Sequence, residues 1–406
     1  MRALVLAPFP PWSPAAAENV RICHWLRALA RRFEVELVGL VEAGVASPRY
    51  ETAAASLAAE LGVDLSLFEG RTAMSSAAAE GPEIRFRSVE MERHVAERAP
   101  EVELVVADHL PMAFAAARAV PPGRKPVMAL DLTGFEQALA PSMTRPAPTP
   151  GSPVVERFYQ RWDAITPARE EIAIAQRFDV IAVPSERAAS TLRAWTPPGR
   201  ILVLPDGVDT ARFEGGATPR ESSDLLFFGA ADELPDEQGV RWFHAEVLPL
   251  IEDARPGTTV AVVGGRPGPA LRALDRPSFR VHGRTDALDG WLAAARVCIV
   301  PRLSGGGAER RILQAAAAGC PVVSTTLGCE GLGFEDCREL VIADQPERFA
   351  AGCLQLLADR DEARRLADRA RVTVKARFDW RELGESFAVA LERRCVDASR
   401  LSSAAW

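Results

Sequence analysis

The sequence predicts an α/β protein built from two Rossmann-like parallel-sheet domains. Three observations carry that prediction. The chain has 406 residues, too many for one hydrophobic core and suited to two domains of ordinary size. Short apolar runs alternate with helix-period stretches along its length, the pattern of strand–helix–strand units and parallel sheets. In the second half these runs end in glycine, at Gly229, Gly264, Gly283 and before Gly305. Ligands of such sheets bind at the carboxyl ends of strands, where glycine admits close approach to the backbone.

The first half opens on Ala3–Ala7 (ALVLA), a short apolar run of the kind a buried parallel strand needs. A proline-rich loop follows, and Val20, Cys23, Leu26, Leu29 and Ala30 then recur at helical spacing. VELVGLV (35–41), ELVVA (103–107), PVMAL (126–130) and DVIAV (179–183) are the next strands. Asp108 and His109 end one of them and Asp131 another. The segment 141–153 carries too much proline for regular structure and reads as a surface loop or a functional flap. Ser185 suits the N-cap of a helix.

The second half is read as opening at ILVLP (201–205), after a junction near 196–222. Its strands are LLFF (225–228), Val260–Val263, Phe279–His282, Val297–Val300, Val322–Val323 and Leu340–Ile342. Helices are predicted over 237–253, from a cap at Asp286 through Ala295, over 308–318, and across 346–395.

Composition narrows the function. Hydrophobic residues make up 48% and charged residues 25%, so both halves are able to bury a core. A net charge of -7 does not suit a protein that coats nucleic acid. The seven cysteines include no C-x-x-C, and Cys320, Cys329 and Cys337 match no zinc spacing; they read as small buried thiols. The N-terminal strand runs at once into prolines, leaving no apolar core for a signal peptide, and no apolar run approaches the ~20 residues that span a bilayer. A cytoplasmic location is the expectation.

The sharpest feature is GGGAERRILQAAAAGCPVVST, Gly305 to Thr325. A glycine loop feeding a helix N-terminus offers amides and a dipole to an anion. Gly307, Arg311, Gln314 and Ala318 fall at i, i+4, i+7 and i+11 and share one face. Arg311 is thereby expected to reach a diphosphate and Gln314 a ribose, with Glu309 turned away. The alternative is a glycine connection into a buried helix with a surface arginine.

The order of these pieces resembles glycosyltransferase family 4, in its bacterial exopolysaccharide-type branch. PDGVDTARF (205–213), FFGAADELPDEQGVRWFHAEVLPLI (227–251), VVGGRPGPAL, FRVHGRTDAL, VCIVPRLSGGG and CPVVSTTLGCEGL (320–332) are similar to successive elements of its donor domain. ARFDW near Trp380 resembles the start of its terminal helix, and APFPPWSP with Arg21 its opening loop. The resemblance implies a GT-B fold, two such domains facing a cleft. It places an acceptor domain at 1–198, a nucleotide-sugar donor domain at 199–378, and a helix over 379–395 that packs back on the first domain. It implies transfer of a sugar, with retention, from a nucleoside diphosphate donor of UDP or GDP type, without metal or other cofactor. Donor binding then falls to Gly229, Gly264, Gly283, Gly305, Gly306, Gly307, Arg311 and Gln314, and catalysis to His109, Asp131 and Arg311. The acceptor is a saccharide, a lipid-linked sugar or a small molecule, and contact with a membrane surface is compatible with this.

The chain departs from the family pattern at several points. Gln314 stands where relatives usually have a ribose-binding glutamate, Arg311 where they often have lysine, Glu309 where this branch often has arginine, and Gly306 at the first of the paired glutamates. Asp359 and Asp361 form a D-x-D in a helical stretch and read as solvated charge. Two other functions share the architecture: a protein that binds a sugar nucleotide or a partner without turnover, and a sugar-nucleotide epimerase, for which no convincing set of carboxylates is present.

Overall fold

The computed structural model describes residues 1–8, 17–42, 48–70, 88–122, 126–132, 168–214, 221–229, 234–285, 287–304 and 310–403. The chain divides into two compact units, Met1–Pro205 with Arg381–Trp406, and Asp206–Trp380. The proline-rich 141–153 segment, Asp286, Gly305–Gly307 and Glu309 lie outside the described residues.

The first unit contains β1 (Arg2–Ala7), β2 (Glu34–Glu42), β3 (Asp64–Gly70), β4 (Leu104–Asp108), β5 (Val127–Asp131), β6 (Val180–Val183) and β7 (Ile201–Val203). Between them run α1 (Ala17–Leu29), α2 (Pro48–Leu61), α3 (Val89–Arg98), α4 (His109–Ala119), α5 (Ala168–Ala175) and α6 (Glu186–Arg193). The strands pair in parallel in the order β3-β2-β1-β4-β5-β6-β7. β1 shows why its sequence is continuously apolar: Leu4 and Leu6 enter the core on one face, and Ala3, Val5 and Ala7 the core on the other. Ser185 caps α6, its hydroxyl accepting from the Ala188 amide at 3.1 Å.

The second unit contains β8 (Ser223–Phe228), β9 (Val260–Val263), β10 (Phe279–Val281), β11 (Ala295–Val300), β12 (Val322–Ser324) and β13 (Val341–Ile342). Its helices are α7 (Leu234–Trp242), α8 (Leu248–Ala254), α9 (Pro269–Arg272), α10 (Leu288–Ala294), α11 (Arg310–Ala317), α12 (Pro346–Ala358) and α13 (Arg360–Arg377). The strands are again parallel, in the order β10-β9-β8-β11-β12-β13. A wider π turn, Phe243–Val247, joins α7 to α8. Pro249, in the first turn of α8, has no amide to donate, which accounts for the local loss of the regular ladder.

The last helix, α14 (Trp380–Ser403), returns to the first unit. Phe387, Ala388, Leu391 and Cys395 are buried in its core, and the Phe387 ring meets Trp25 edge-on at 5.7 Å. Burying an aromatic of this size contributes about 1.5–3 kcal/mol. A Cβ at Gly384 would lie 2.9 Å from the His24 carbonyl oxygen, so glycine lets the backbones of α14 and α1 meet.

Two boundaries differ from the sequence reading. The sequence places Ile201–Val203 at the opening of the second domain, but β7 pairs with β6 and is the edge of the first sheet, so the division falls at Pro205/Asp206. A short β-branched run carries no mark of which sheet will claim it. The terminal helix also extends beyond 395, to Ser403.

One polar cluster secures the amino edge of the second sheet. Asp224 accepts from the Thr259 amide at 3.0 Å, the Thr259 hydroxyl at 3.2 Å and Arg296 Nη1 at 3.0 Å. Burial alone would raise this carboxyl, but these bonds and the nearby Arg255 outweigh it and hold the group below its usual range. A depressed carboxyl contributes stability above its unfolded pKa of about 3.9 and loses it as pH falls through the folded value. Asp224→Asn is therefore expected to cost about 1–2 kcal/mol at pH 7, with the difference from wild type narrowing below about pH 4. Urea melts of both proteins across that range test it; a difference independent of pH contradicts the assignment.

Candidate functional site

The strand order of the second sheet reverses between β8 and β11, so the carboxyl ends of these strands open the crevice in which α/β sheets bind ligands. Three of the glycines singled out in the sequence meet there. The Gly229 amide, just after β8, donates to the Val263 carbonyl at 3.0 Å, and the Gly264 amide donates to the Gly283 carbonyl at 3.1 Å. Gly264 has φ +107°, and a Cβ there would lie 2.4 Å from the Gly229 carbonyl oxygen, so the conformation and the contact both require glycine.

Arg311 lies on α11, which turns it toward this edge. It is buried, with Nη2 donating to Asp236 Oδ1 at 2.7 Å and Nη1 to the Phe228 carbonyl at 3.5 Å, and its guanidinium lies 5.2 Å from the centre of the Phe227 ring. A Cβ at Gly229 would stand 2.5 Å from Arg311 Nη1 and 2.6 Å from Asp236 Oδ2, so Gly229 makes room for this pair. The arginine read from the sequence as a phosphate contact is thus held in an ion pair with Asp236, a residue of the first turn of α7 that sequence reasoning did not single out. Gln314, one turn along α11, is half-buried and makes no side-chain hydrogen bond to the described residues.

The first sheet also reverses its strand order, between β1 and β4. Asp108 at the end of β4 and Asp131 at the end of β5 are direct partners in the ladder. Asp131 is fully buried; Arg21 Nε donates to its Oδ2 at 2.7 Å and Arg21 Nη2 to its Oδ1 at 2.8 Å. Arg21 also donates to the Leu204 carbonyl at 2.9 Å and the Pro205 carbonyl at 3.2 Å. Asp131 is therefore an anchor for Arg21, rather than the ligand-facing carboxylate that its place at a strand end suggested.

His109 begins α4 with φ +65°, a left-handed conformation that non-glycine residues adopt at a cost and that collects at functional sites. Its Nδ1 lies 2.9 Å from Asp108 Oδ1. Burial raises the Asp108 carboxyl, which the neighbouring His109 and Arg21 oppose and Asp131 reinforces. Two carboxylates, an arginine and a histidine thus form one largely buried polar cluster at this edge.

Asp359 of the D-x-D caps α13, its carboxylate accepting from the amides of Asp361 and Glu362. Among the described residues no group of three His, Cys, Asp or Glu side chains is placed to hold a metal ion. Among the same residues no helix is long and apolar enough to cross a membrane.

Residues 222–359 match the family model of glycosyl transferases group 1. That stretch holds the second sheet together with Asp236 and Arg311. No curated protein matches the sequence. Over nearly the whole chain the fold is similar to that of Anabaena HepE in complex with UDP, at 13% identity and a TM-score of 0.64, covering 97% of this chain and 100% of that one. It is similar also to the HepE complex with UDP-glucose, at 14% identity, a TM-score of 0.61 and coverage of 97% and 100%. Sucrose-phosphate synthase of Thermosynechococcus elongatus is similar at 16% identity, a TM-score of 0.61 and coverage of 98% and 100%. These likenesses define the fold as GT-B, two Rossmann-like parallel-sheet domains. The second of them carries the match to the group 1 glycosyl transferase domain.

Proposed function

We propose that the protein is a retaining, metal-independent glycosyltransferase of the family 4 type, which moves a sugar from a nucleoside diphosphate to an acceptor. The observation that carries this reading is the carboxyl edge of the second sheet, where Gly229, Gly264 and Gly283 meet beside a buried arginine within the segment matched by the group 1 model. Loss of a nucleoside diphosphate leaves negative charge on the departing phosphate. Cationic side chains fixed in a partly buried site stabilise that charge more than water does. His109 is the residue we assign to positioning the sugar or acceptor. Retention rests on the motif resemblance, and the donor class on that resemblance together with the UDP and UDP-glucose complexes of HepE.

Donor binding is tested by thermal unfolding with UDP, GDP and ADP, with and without magnesium. A diphosphate at 100 times its Kd adds about 2.7 kcal/mol of stability, and the expected result is a shift with UDP or GDP that magnesium does not alter. No shift with any of the three sinks the reading. Turnover is then read as acceptor-dependent release of nucleotide from a panel of labelled sugar nucleotides.

A second reading, donor binding without efficient turnover, is favoured by Gln314. A carboxylate there would accept from both ribose hydroxyls, and charge strengthens such bonds. If Gln314 faces the ribose, Gln314→Glu tightens UDP binding by about 1–2 kcal/mol and leaves the melting temperature intact. Unchanged or weaker binding, with a lower melting temperature, removes Gln314 from the site.

A further inference from the structure

We propose that the loop between α6 and β7 docks on a bilayer of anionic phospholipid, through Trp195 and the guanidiniums of Arg177, Arg200 and Arg394 around it. Nothing in this surface depends on the donor site, and its test uses no nucleotide.

Trp195 is 60% exposed, and no other tryptophan or phenylalanine among the described residues is open to solvent to this degree. The ring is not outside the core for want of order. The amides of Trp195 and Thr196 both donate to the Leu192 carbonyl at 2.9 Å, and the Trp195 carbonyl accepts from Gln176 Nε2 at 2.8 Å. Thr196 is buried, whereas Pro197, Pro198 and Gly199 after it are exposed. A bonded turn therefore holds the indole and two prolines out in water, a large apolar face that a partner is able to cover.

Three arginines surround this turn. Arg200 Nη1 donates to the carbonyls of Gln176 at 3.3 Å and Phe178 at 3.4 Å, and Arg394 Nη2, from α14, to that of Gly199 at 2.8 Å. Arg177 Nη2 donates to the carbonyls of Ala117 at 3.3 Å and Val120 at 3.4 Å. Neutral carbonyls fix these side chains without cancelling their charge. Among the described residues none of the three is in an ion pair, whereas Arg193 beside them is neutralised by Glu186. The nearest acid along the chain, Asp179, accepts from the Met128 amide at 2.9 Å.

Tryptophan seats at the headgroup level of a bilayer, and arginine is drawn to anionic headgroups. The chain as a whole has a formal charge of -7, so attraction to an anionic surface has to come from a local patch of this kind. The loop leads into β7 and so lies at the amino edge of the first sheet. Asp108, His109 and Asp131 stand at the carboxyl edge, which docking leaves uncovered.

The test is flotation of the full chain with vesicles of phosphatidylcholine alone and with phosphatidylglycerol added, at low and high salt. Wild type is expected to float only with the anionic vesicles and to be released by salt. Trp195→Ser should weaken this binding by roughly tenfold or more, and Arg177→Gln/Arg200→Gln by roughly tenfold to thirtyfold. Arg177→Lys/Arg200→Lys keeps the charge but not the fork that grips the carbonyls, so retained binding in this pair separates charge from loop geometry. The proposal is overturned if wild type floats with neither vesicle or equally with both, if Trp195→Ser floats as wild type does, or if the lysine pair loses as much as the glutamine pair. It is overturned too if wild type does not float but self-associates in the ultracentrifuge and Trp195→Ser does not, since a second copy then covers the ring.

Discussion

Asp131→Ala is expected to remove about 3–5 kcal/mol from the stability of the first unit, the cost typical of breaking a buried ion pair from one side. The size follows from what remains. Arg21 is buried, and both of its bonds to Asp131 are short and parallel, 2.7 and 2.8 Å. Without the carboxylate its charge stays in a poorly solvated place, and its contacts to the Leu204 and Pro205 carbonyls lose the anchor that aims them. Those carbonyls end the segment that follows β7, so the edge of the sheet should loosen as well. The double variant Arg21→Met/Asp131→Leu separates charge from packing. With both charges gone the desolvation cost disappears too, and most of the lost stability should return. Urea unfolding of the three proteins decides it: a loss under about 1 kcal/mol for Asp131→Ala, or a double variant as unstable as the single one, contradicts a charge held by its partner.

The parts of the fold legible in the sequence are those where one physical signal acts alone. β1, β4, β5, β8 and β9 are buried on both faces over their central residues, so those runs are apolar and the polar residues fall at the strand ends. β3 is not legible because Asp64–Gly70 is an edge strand whose described side chains are half-buried or exposed, and its mixed sequence resembles a loop. β7 is legible as a strand but its sheet is not, since pairing depends on partners far away in sequence. At the site the same distinction holds. Gly229, Gly264 and Gly283 are legible because a strand-end glycine is a local signal. The ion pair between Asp236 and Arg311 joins residues 75 apart, and an acid in the first turn of a helix looks the same whether it complements the dipole or holds an arginine. Asp131 stands out in the sequence as a polar residue at a strand end, and only the position of Arg21 shows what holds it there.

Gly239→Ala is the substitution in the second unit for which the largest combined effect on stability and binding is expected. Gly239 lies on α7, where alanine would ordinarily gain about 1 kcal/mol of helix propensity. Here a Cβ would stand 2.0 Å from the Pro301 carbonyl oxygen and 3.1 Å from its carbon, both backbone atoms that no rotamer change moves aside. Either α7 lifts or the segment after β11 gives way, and overpacking of this kind costs about 1–3 kcal/mol or more. The displacement does not stay local. Asp236 is three residues earlier on the same helix and so on the same face. A shift at Gly239 therefore separates the carboxylate from the Arg311 guanidinium that it holds. The expected result is a lower melting temperature together with UDP affinity weakened roughly tenfold, about the loss of one charge-assisted contact. Gly199→Ala serves as the control, since a Cβ there meets nothing within 4 Å. If Gly239→Ala melts with wild type and binds UDP as wild type does, α7 does not press on Pro301. If it melts early yet keeps full UDP affinity, the placement of Asp236 and Arg311 beside the strand-end glycines does not govern diphosphate binding.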